Sequence, residues 1–135
     1  MEDVIIIVGL PGSGKTELAN REYVSKGYFH LEDPSTWLTL KEVKETLKNS
    51  TKPCVITDAV LCYDGFRDKL IEIFEELDLD RKWIFFENDP TSAMENQISR
   101  GDNPERITNV WAMSQGYTIP PVSQRCNPPL PVWKG

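Results

Sequence analysis

An octapeptide near the start of the chain indicates the fold class of the protein: Gly9-Leu10-Pro11-Gly12-Ser13-Gly14-Lys15-Thr16. Its spacing is Gly, four residues, Gly-Lys-Ser/Thr, and the apolar run Val4–Val8 precedes it directly. Apolar residues spaced three and four apart follow it, which is typical of a helix. A buried strand, a glycine-rich loop and a helix are the context that gives this motif its meaning. The octapeptide therefore predicts an α/β fold built on a parallel sheet.

The residue types of this loop suit the binding of phosphate groups. Glycines let backbone N–H groups approach phosphate oxygens closely, and the following helix points its positive end at the same anion. Lys15 can reach the terminal phosphates, and Thr16 can place its hydroxyl on a magnesium ion. The sequence thus predicts a nucleoside triphosphate site. The alternative, a glycine-rich turn without a ligand, is disfavoured because motif and context agree.

Composition narrows the class of protein. The chain has 135 residues and a net charge of −6, which predicts one domain and excludes a broadly basic nucleic-acid surface. Three cysteines without a Cys-x-x-Cys pair argue against a zinc site or a disulfide framework and favour a reducing cytoplasm. The run Val4–Val8 is too short to span a membrane, and the acidic Glu2 and Asp3 are atypical of a secretory signal. We therefore expect a cytoplasmic protein without a membrane partner.

Further strands and helices alternate along the chain. Residues 28–31, 54–57 and 83–86 are predicted strands, and helices are predicted at 15–25, from 39, from 64, from 89 and from 103. This order predicts a three-layer fold in which helices flank a short parallel sheet of about four strands. Domain boundaries follow the same pattern: a domain over 1–117, with a lid near 100–106, and a Pro-rich closing segment of that domain over 118–135. We expect Tyr117 or Trp133 to fold back onto the domain.

Local signals refine the helices. Thr39 and Glu42 have the form of a capping box, Asp64 is a candidate cap, and Asp89-Pro90 and Asn103-Pro104 are helix starts. The helical spacing places several apolar side chains toward the core, and they include Leu40, Ile98 and Trp111.

Acidic residues follow the predicted strands. Asp33, Asp58 and Glu87 each lie at or just after the carboxyl end of a strand. Ligands of open α/β sheets bind at that edge, and the phosphate loop lies there too. Pro34 favours an extended backbone at Asp33. The sequence therefore predicts that these carboxylates surround the phosphate site.

The chain resembles the P-loop kinases, and among them the small polynucleotide-kinase-like group that is frequent in phages. The resemblance rests on Gly9–Thr16, on Val55-Ile56-Thr57-Asp58 as a Walker B strand, and on Ser99-Arg100-Gly101 with Arg106. It implies that ATP and Mg²⁺ bind here, with Thr16 and Asp58 on the metal.

The resemblance also implies catalytic roles. Lys15 and Arg100 would stabilise the charge of the transferred phosphoryl group, Arg106 would contact the nucleotide from a mobile lid, and Asp33 would accept the proton of the acceptor hydroxyl. The chain departs from the group just after Asp33, where Pro34-Ser35-Thr36-Trp37 replaces the usual acceptor-binding arginine.

Missing motifs exclude two rival classes. The chain lacks the Asn-Lys-x-Asp signature of a GTPase, and Ala59 stands where a motor ATPase has its water-activating glutamate. The expected function is transfer of the γ-phosphate of ATP to a hydroxyl on a polynucleotide, a modified base or a nucleoside. Two alternatives stay open: a nucleoside monophosphate kinase, and an ATP-binding regulatory module with little turnover.

Structural roles for the candidate residues also stay open. Asp33 could form an Asx turn and Asp58 could cap a turn. Arg100 could be a helix-end cation, and Arg106 could pair with Asp102 at the surface.

Overall fold

A computed structural model describes residues 1–120 and 129–133. Two single turns of 3₁₀-helix, Val24–Lys26 and Ala59–Cys62, separate some of the longer elements. The four strands are β1 (Val4–Val8), β2 (Phe29–Glu32), β3 (Cys54–Thr57) and β4 (Arg81–Phe85). The helices are α1 (Lys15–Glu22), α2 (Pro34–Trp37), α3 (Leu40–Asn49), α4 (Asp64–Glu76), α5 (Pro90–Ser99) and α6 (Pro104–Gly116).

The four strands form one parallel sheet in the order β2-β3-β1-β4. β1 lies inside it, with Ile6 opposite Ile56 of β3 and Trp83 of β4. All five residues of β1 are buried, as an interior strand covered on both faces requires. The predicted α/β class with a short parallel sheet is confirmed.

A separate apolar core covers each face of the sheet, and this makes the fold three-layered. On one face, Ile5 and Ile7 pack with Ala19 of α1. On the other, Ile6 packs in a larger core that includes side chains from α3, α4, α5 and α6. The alternation of side chains along β1 therefore divides the helices between the two faces.

The end of the chain extends the sheet by a single residue. Leu130 forms a parallel bridge with Phe86, donating to the Phe85 carbonyl at 2.7 Å and accepting from the Glu87 N–H at 2.7 Å. Tyr117 is also folded back, and its buried hydroxyl donates to the Phe86 carbonyl at 2.6 Å. A single bridge residue in a proline-rich segment has no strand periodicity, so this bridge could not be predicted from the sequence.

The capping box of α3 is present in both directions, between Thr39 and Glu42, whereas four finer expectations are wrong. Asp64 does not cap α4, because Tyr63 is the cap residue and makes no side-chain capping bond. Leu40, Ile98 and Trp111 are 36%, 63% and 55% exposed. Each helix turns a narrower apolar face to the core than the spacing suggested. The buried apolar residues are Val43 and Leu47 in α3, Ala93 in α5 and Val110 in α6.

The backbone at Asp33 also differs from the sequence expectation. Asp33 is left-handed, with φ 48° and ψ 49°, although Pro34 favours an extended conformation. Its N–H donates to the Thr57 carbonyl at 2.8 Å, and Pro34 then begins the unpredicted helix α2. Aspartate is among the few residues that tolerate this conformation, and proline is favoured in a first helical turn. Together these preferences turn the chain sharply at the end of β2.

Some expectations fall outside the described residues. These are Cys126 and most of the Pro-rich segment, namely residues 121–128 and 134–135. The described cysteines, Cys54 and Cys62, are buried free thiols. No helix within residues 1–120 and 129–133 combines the length and apolar character needed to cross a membrane.

Candidate functional site

The phosphate loop joins β1 to α1 in a conformation that requires glycine. Gly12 and Gly14 have φ values of 86° and 104°, which side chains with a Cβ rarely adopt. A Cβ at Gly12 would collide with the Ala93 carbonyl, and one at Gly14 with the side chain of Trp133. Both the φ values and the close packing around Gly12 and Gly14 therefore require glycine at these two positions. Gly9, Leu10 and Ser13 are buried and shape the loop from beneath.

Lys15 is 9% exposed and lies against its own loop. Its Nζ donates to the Leu10 carbonyl at 3.0 Å. Burial lowers the pKa of Lys15, whereas Cys62, Asp33 and Asp58 raise it. The ammonium group is thus held at the loop, with carboxylates near enough to favour its charged form.

Asp58 connects the end of β3 to the start of α2. It is 1% exposed, and its two carboxylate oxygens accept from the Ser35 N–H at 2.8 Å and from the Val60 N–H at 2.9 Å. Each oxygen has further acceptor capacity. The turn-capping role considered for Asp58 is therefore real, and it leaves room for a cation.

Asp33 lines a cleft together with Lys15 and Thr16 of the loop, and its side chain caps no N–H of α2. The residue is exposed, but neighbouring atoms still displace water from its carboxyl group. This desolvation raises the pKa of Asp33, and the charges of Asp58 and Glu32 raise it further while Lys15 opposes them. A raised pKa makes a carboxylate a better proton acceptor at neutral pH.

Glu32 is a residue that the sequence interpretation missed. Its Oε1 accepts from the Thr16 hydroxyl at 3.3 Å, which joins the end of β2 to the start of α1. The signal was present, because Glu32 ends the same strand that Asp33 follows. Behind it, His30 Nε2 lies 2.7 Å from the Thr57 hydroxyl, in keeping with a structural histidine.

Arg100 lies at the turn between α5 and α6. Its guanidinium donates to Asp102 through Nε at 3.1 Å to both oxygens and through Nη2 at 2.7 Å. Asp102 therefore pairs with Arg100 and not with Arg106, which was the surface pair considered from the sequence. This bond raises the pKa of Arg100 and fixes its charge beside the loop.

One cleft of about 690 Å³ brings these groups together at the carboxyl edge of the sheet. Its lining includes nine of the sequence-predicted residues and leaves out Gly9, Leu10 and Ser13, which are buried within the loop. The nine are Pro11, Gly12, Gly14, Lys15, Thr16, Asp33, Asp58, Arg100 and Arg106. Gln97 also lines the cleft, and its buried Oε1 has no hydrogen-bond partner in the part of the chain that the structure describes.

A second cavity of about 240 Å³ lies beside the loop, between α5 and Trp133. The Trp133 N–H donates to the Ser13 carbonyl at 2.9 Å. Asn96 Nδ2 donates to the Gly12 carbonyl at 2.8 Å and also to the Trp133 carbonyl. The Arg21 guanidinium lies 5.1 Å from the centre of the Trp133 ring. Sequence patterns could not find this arrangement, because it joins the phosphate loop to residues more than eighty positions away.

The donor set of the cleft suits a hard cation. Thr16 and Asp58 both line it, and both offer oxygen, the ligand atom that Mg²⁺ prefers. Among residues 1–120 and 129–133, no group of three or more His, Cys, Asp or Glu side chains could hold a metal. A magnesium ion would therefore take its remaining ligands from water and phosphate oxygens, as it commonly does in nucleotide sites.

Solved structures share this fold. A gluconokinase from Sinorhizobium meliloti 1021 superposes with a TM-score of 0.67 at 19% identity, over 95% of this chain and 80% of that one. Chaetomium thermophilum Kti12, solved in complex with ADP-AlF3, gives a TM-score of 0.61 at 17% identity, over 96% and 88%. The protein APE1195 gives 0.59 at 23% identity, over 96% and 83%. The chain therefore has the fold of the P-loop kinases.

Sequence comparison places the chain more narrowly. No protein-family model matches it. A protein of Acanthamoeba polyphaga mimivirus, described as "Uncharacterized protein R277", is 34% identical over 122 residues, which are 86% of each chain. At this identity and coverage, the chain belongs to the same family as that mimivirus protein.

Proposed function

We propose that this protein is an ATP-dependent phosphotransferase that moves the γ-phosphate of ATP to an acceptor hydroxyl, with Mg²⁺ as cofactor. The carrying observation is that one cleft is lined both by Lys15 and Thr16 of the phosphate loop and by Asp33 and Asp58. A phosphate site and a potential general base thus face the same space. The shared fold with a gluconokinase, and with Kti12 bound to ADP-AlF3, supports this assignment.

In the proposed reaction, the acceptor oxygen forms a bond to the γ-phosphorus as the bond to the β–γ bridging oxygen breaks. The bridging oxygen leaves with its electron pair on ADP, and the hydroxyl proton passes to Asp33. The transition state spreads negative charge over the transferred group, so positioning and positive charge supply most of the catalysis. Bound Mg²⁺ would supply part of that charge from Thr16 and Asp58.

The remaining charge comes from two sides of the cleft. Lys15 and the N–H groups of the loop hold the phosphates, with Gly12 and Gly14 allowing the close approach. Arg100 and Arg106 act from the α5–α6 side, where residues 100–106 serve as a lid. Asp102 fixes the Arg100 guanidinium for this purpose through the bidentate pair described above.

The base and ribose of ATP would lie in the smaller cavity. Trp133 lines this cavity and is 43% exposed, with the Arg21 guanidinium over its ring. An indole ring stacks on any base, which suits a nucleotide site without a base-specific motif. Glu17, Asn96 and Ser99 supply polar groups around it.

Acceptors that agree with the sequence resemblance are a polynucleotide end, a modified base, a nucleoside or a nucleotide. The test is transfer of radiolabelled phosphate from ATP to a panel of nucleosides, nucleoside monophosphates, 5′-hydroxyl oligonucleotides and DNA with hydroxymethylated bases. Lys15→Ala is the control, since it removes the phosphate-binding ammonium. Transfer by the wild type and not by this variant supports the proposal. ATP binding without transfer to any acceptor would instead favour a regulatory module.

A further inference from the structure

The half of the cleft that would receive the acceptor lies beyond the phosphate loop, between the ends of β2 and β3 and the side of α6. Its wall comprises Glu32, Asp33, Thr36, Val60, Asn109 and Met113. This region is contiguous with the phosphate loop, because the same cleft of about 690 Å³ contains Lys15 and Thr16. A hydroxyl group placed there would lie between Asp33 and the triphosphate.

The charge in this half of the cleft is negative. Glu32 and Asp33 belong to its wall, and Asp58 lines the same cleft. Burial raises the pKa of Asp33, and the charges of Asp58 and Glu32 raise it further. A phosphate group on the acceptor would carry a further negative charge into the same space. Like charges brought together in a partly desolvated cleft disfavour binding.

The described cations are poorly placed to offset a phosphate on the acceptor. Lys15 is bound to the Leu10 carbonyl within the loop, and Arg100 is held by Asp102. Arg106 remains, an exposed side chain at the first turn of α6. With Asp58 assigned to the cation, one exposed arginine against the carboxylates of Glu32 and Asp33 still leaves a net repulsion for an anionic acceptor.

Backbone donors near the acceptor are also engaged. The Ser35 N–H, at the start of α2, donates to Asp58 Oδ2 at 2.8 Å, and the Val60 N–H donates to Asp58 Oδ1 at 2.9 Å. These are N–H groups that could otherwise bind a phosphate oxygen. Asp58 thus occupies them with its own carboxylate.

The uncharged groups of the wall suit a neutral ring that carries hydroxyls. Val60 is 39% exposed and Met113 is partly buried, so both can contact an apolar ring face. Asn109 is exposed and offers an amide, while the Thr36 hydroxyl donates to the Asp33 carbonyl at 2.8 Å and can still accept a hydrogen bond.

We propose that the acceptor is an uncharged molecule with a ring and hydroxyl groups, represented by a nucleoside, and that a phosphate on the acceptor opposes its binding. This inference rests on the proposed phosphotransferase function. The inference predicts that neutral acceptors bind better than nucleoside monophosphates and better than polynucleotide ends.

The test compares acceptors that differ by one phosphate. Each nucleoside is paired with its own 3′-monophosphate, which has the same free 5′-hydroxyl, and with its 5′-monophosphate. Phosphate transfer from radiolabelled ATP is measured as kcat/KM at fixed ionic strength. We expect the nucleoside to exceed its 3′-monophosphate by about tenfold or more, because the added charge faces the carboxylates.

A charge variant identifies the source of the discrimination. Glu32→Gln keeps the shape and the acceptor oxygen of Glu32 while removing its charge, so the preference for the nucleoside should narrow several-fold. Glu45→Gln makes the same charge change on the exposed side of α3, and the preference should stay as in the wild type.

Three results overturn the inference in distinguishable ways. Equal or faster transfer to the 3′-monophosphates would contradict it while leaving the phosphotransferase function in place. An unchanged preference for the nucleoside in Glu32→Gln would show that the charge of Glu32 does not cause the discrimination. Absence of transfer to every acceptor, with ATP still bound, would contradict the proposed function and this inference with it.

Discussion

The carboxylate of Asp58 accepts a hydrogen bond from the N–H of Ser35 at 2.8 Å, and this bond fixes the start of α2 to the end of β3. Asp33, two residues before Ser35, is thereby held in its left-handed turn beside the cleft. The residue proposed to hold the metal also positions the residue proposed to accept the proton.

Asp58→Asn should affect both stability and metal dependence. Ser35 and Val60 donate to different oxygens of Asp58, and an asparagine keeps only one of the two as an acceptor. One part-buried N–H therefore loses its partner, at a cost of about 1–3 kcal/mol in unfolding free energy. Urea denaturation measures that loss. The activity of the variant should also need more Mg²⁺ for half-saturation. An unchanged response to Mg²⁺ would restrict Asp58 to its capping role.

Arg100→Ala should slow phosphate transfer more than it weakens ATP binding. The guanidinium would meet charge that is greatest in the transition state, so kcat should fall about 10²–10³-fold. Single-turnover rates and calorimetric ATP binding separate the two effects, with Lys48→Ala on α3 as a surface control. Equal losses in kcat and in ATP affinity would reduce Arg100 to a ground-state contact.

Asn96→Ala should weaken ATP binding without changing the chemical step. The Asn96 amide donates to both the Gly12 carbonyl and the Trp133 carbonyl. Each hydrogen bond contributes a net free energy of about 0.5–1.5 kcal/mol. Loss of both should therefore raise the Kd for ATP about tenfold. The quenching of tryptophan fluorescence on ATP addition provides the measurement. Asn49→Ala, at the exposed end of α3, is the matched control. If Asn96→Ala binds ATP normally, the chain end does not support the loop.

Transfer should fall at acid pH as Asp33 becomes protonated. Because burial and nearby carboxylates raise the pKa of Asp33, this loss should begin at a higher pH than for an ordinary aspartate. Glu32→Gln removes one of the raising charges, so the acid limb of the kcat profile should move to lower pH. A shift in the opposite direction, or none, would show that another group governs the profile.

Local sequence signals predicted the fold because each depends on neighbouring residues. The phosphate loop, the strand β3 and the capping box of α3 are continuous in the chain, and their periodicity and caps are visible without tertiary contacts. The orientation of α5 and α6 was harder to predict. Ala93 and Ile98, and likewise Val110 and Trp111, fit one apolar stripe, but the core receives Ala93 and Val110 and leaves Ile98 and Trp111 exposed.

In the candidate site, too, residues marked by local sequence signals could be predicted and those placed by tertiary packing could not. Lys15, Thr16, Asp33 and Asp58 could be proposed because a motif or a strand end marks them. Trp133 was expected only to fold back onto the domain; its contact with the phosphate loop could not be proposed, because a proline-rich stretch has no period and the contact depends on tertiary packing.

The central claim is that Asp33 accepts a proton from an acceptor hydroxyl during transfer from ATP. The most direct measurement compares the wild type and Asp33→Asn in calorimetric ATP binding and in transfer to the best acceptor of the panel. The account predicts nearly unchanged ATP affinity and a rate lower by about 10²–10⁴-fold, the usual contribution of a general base. Transfer by Asp33→Asn at the wild-type rate would contradict it.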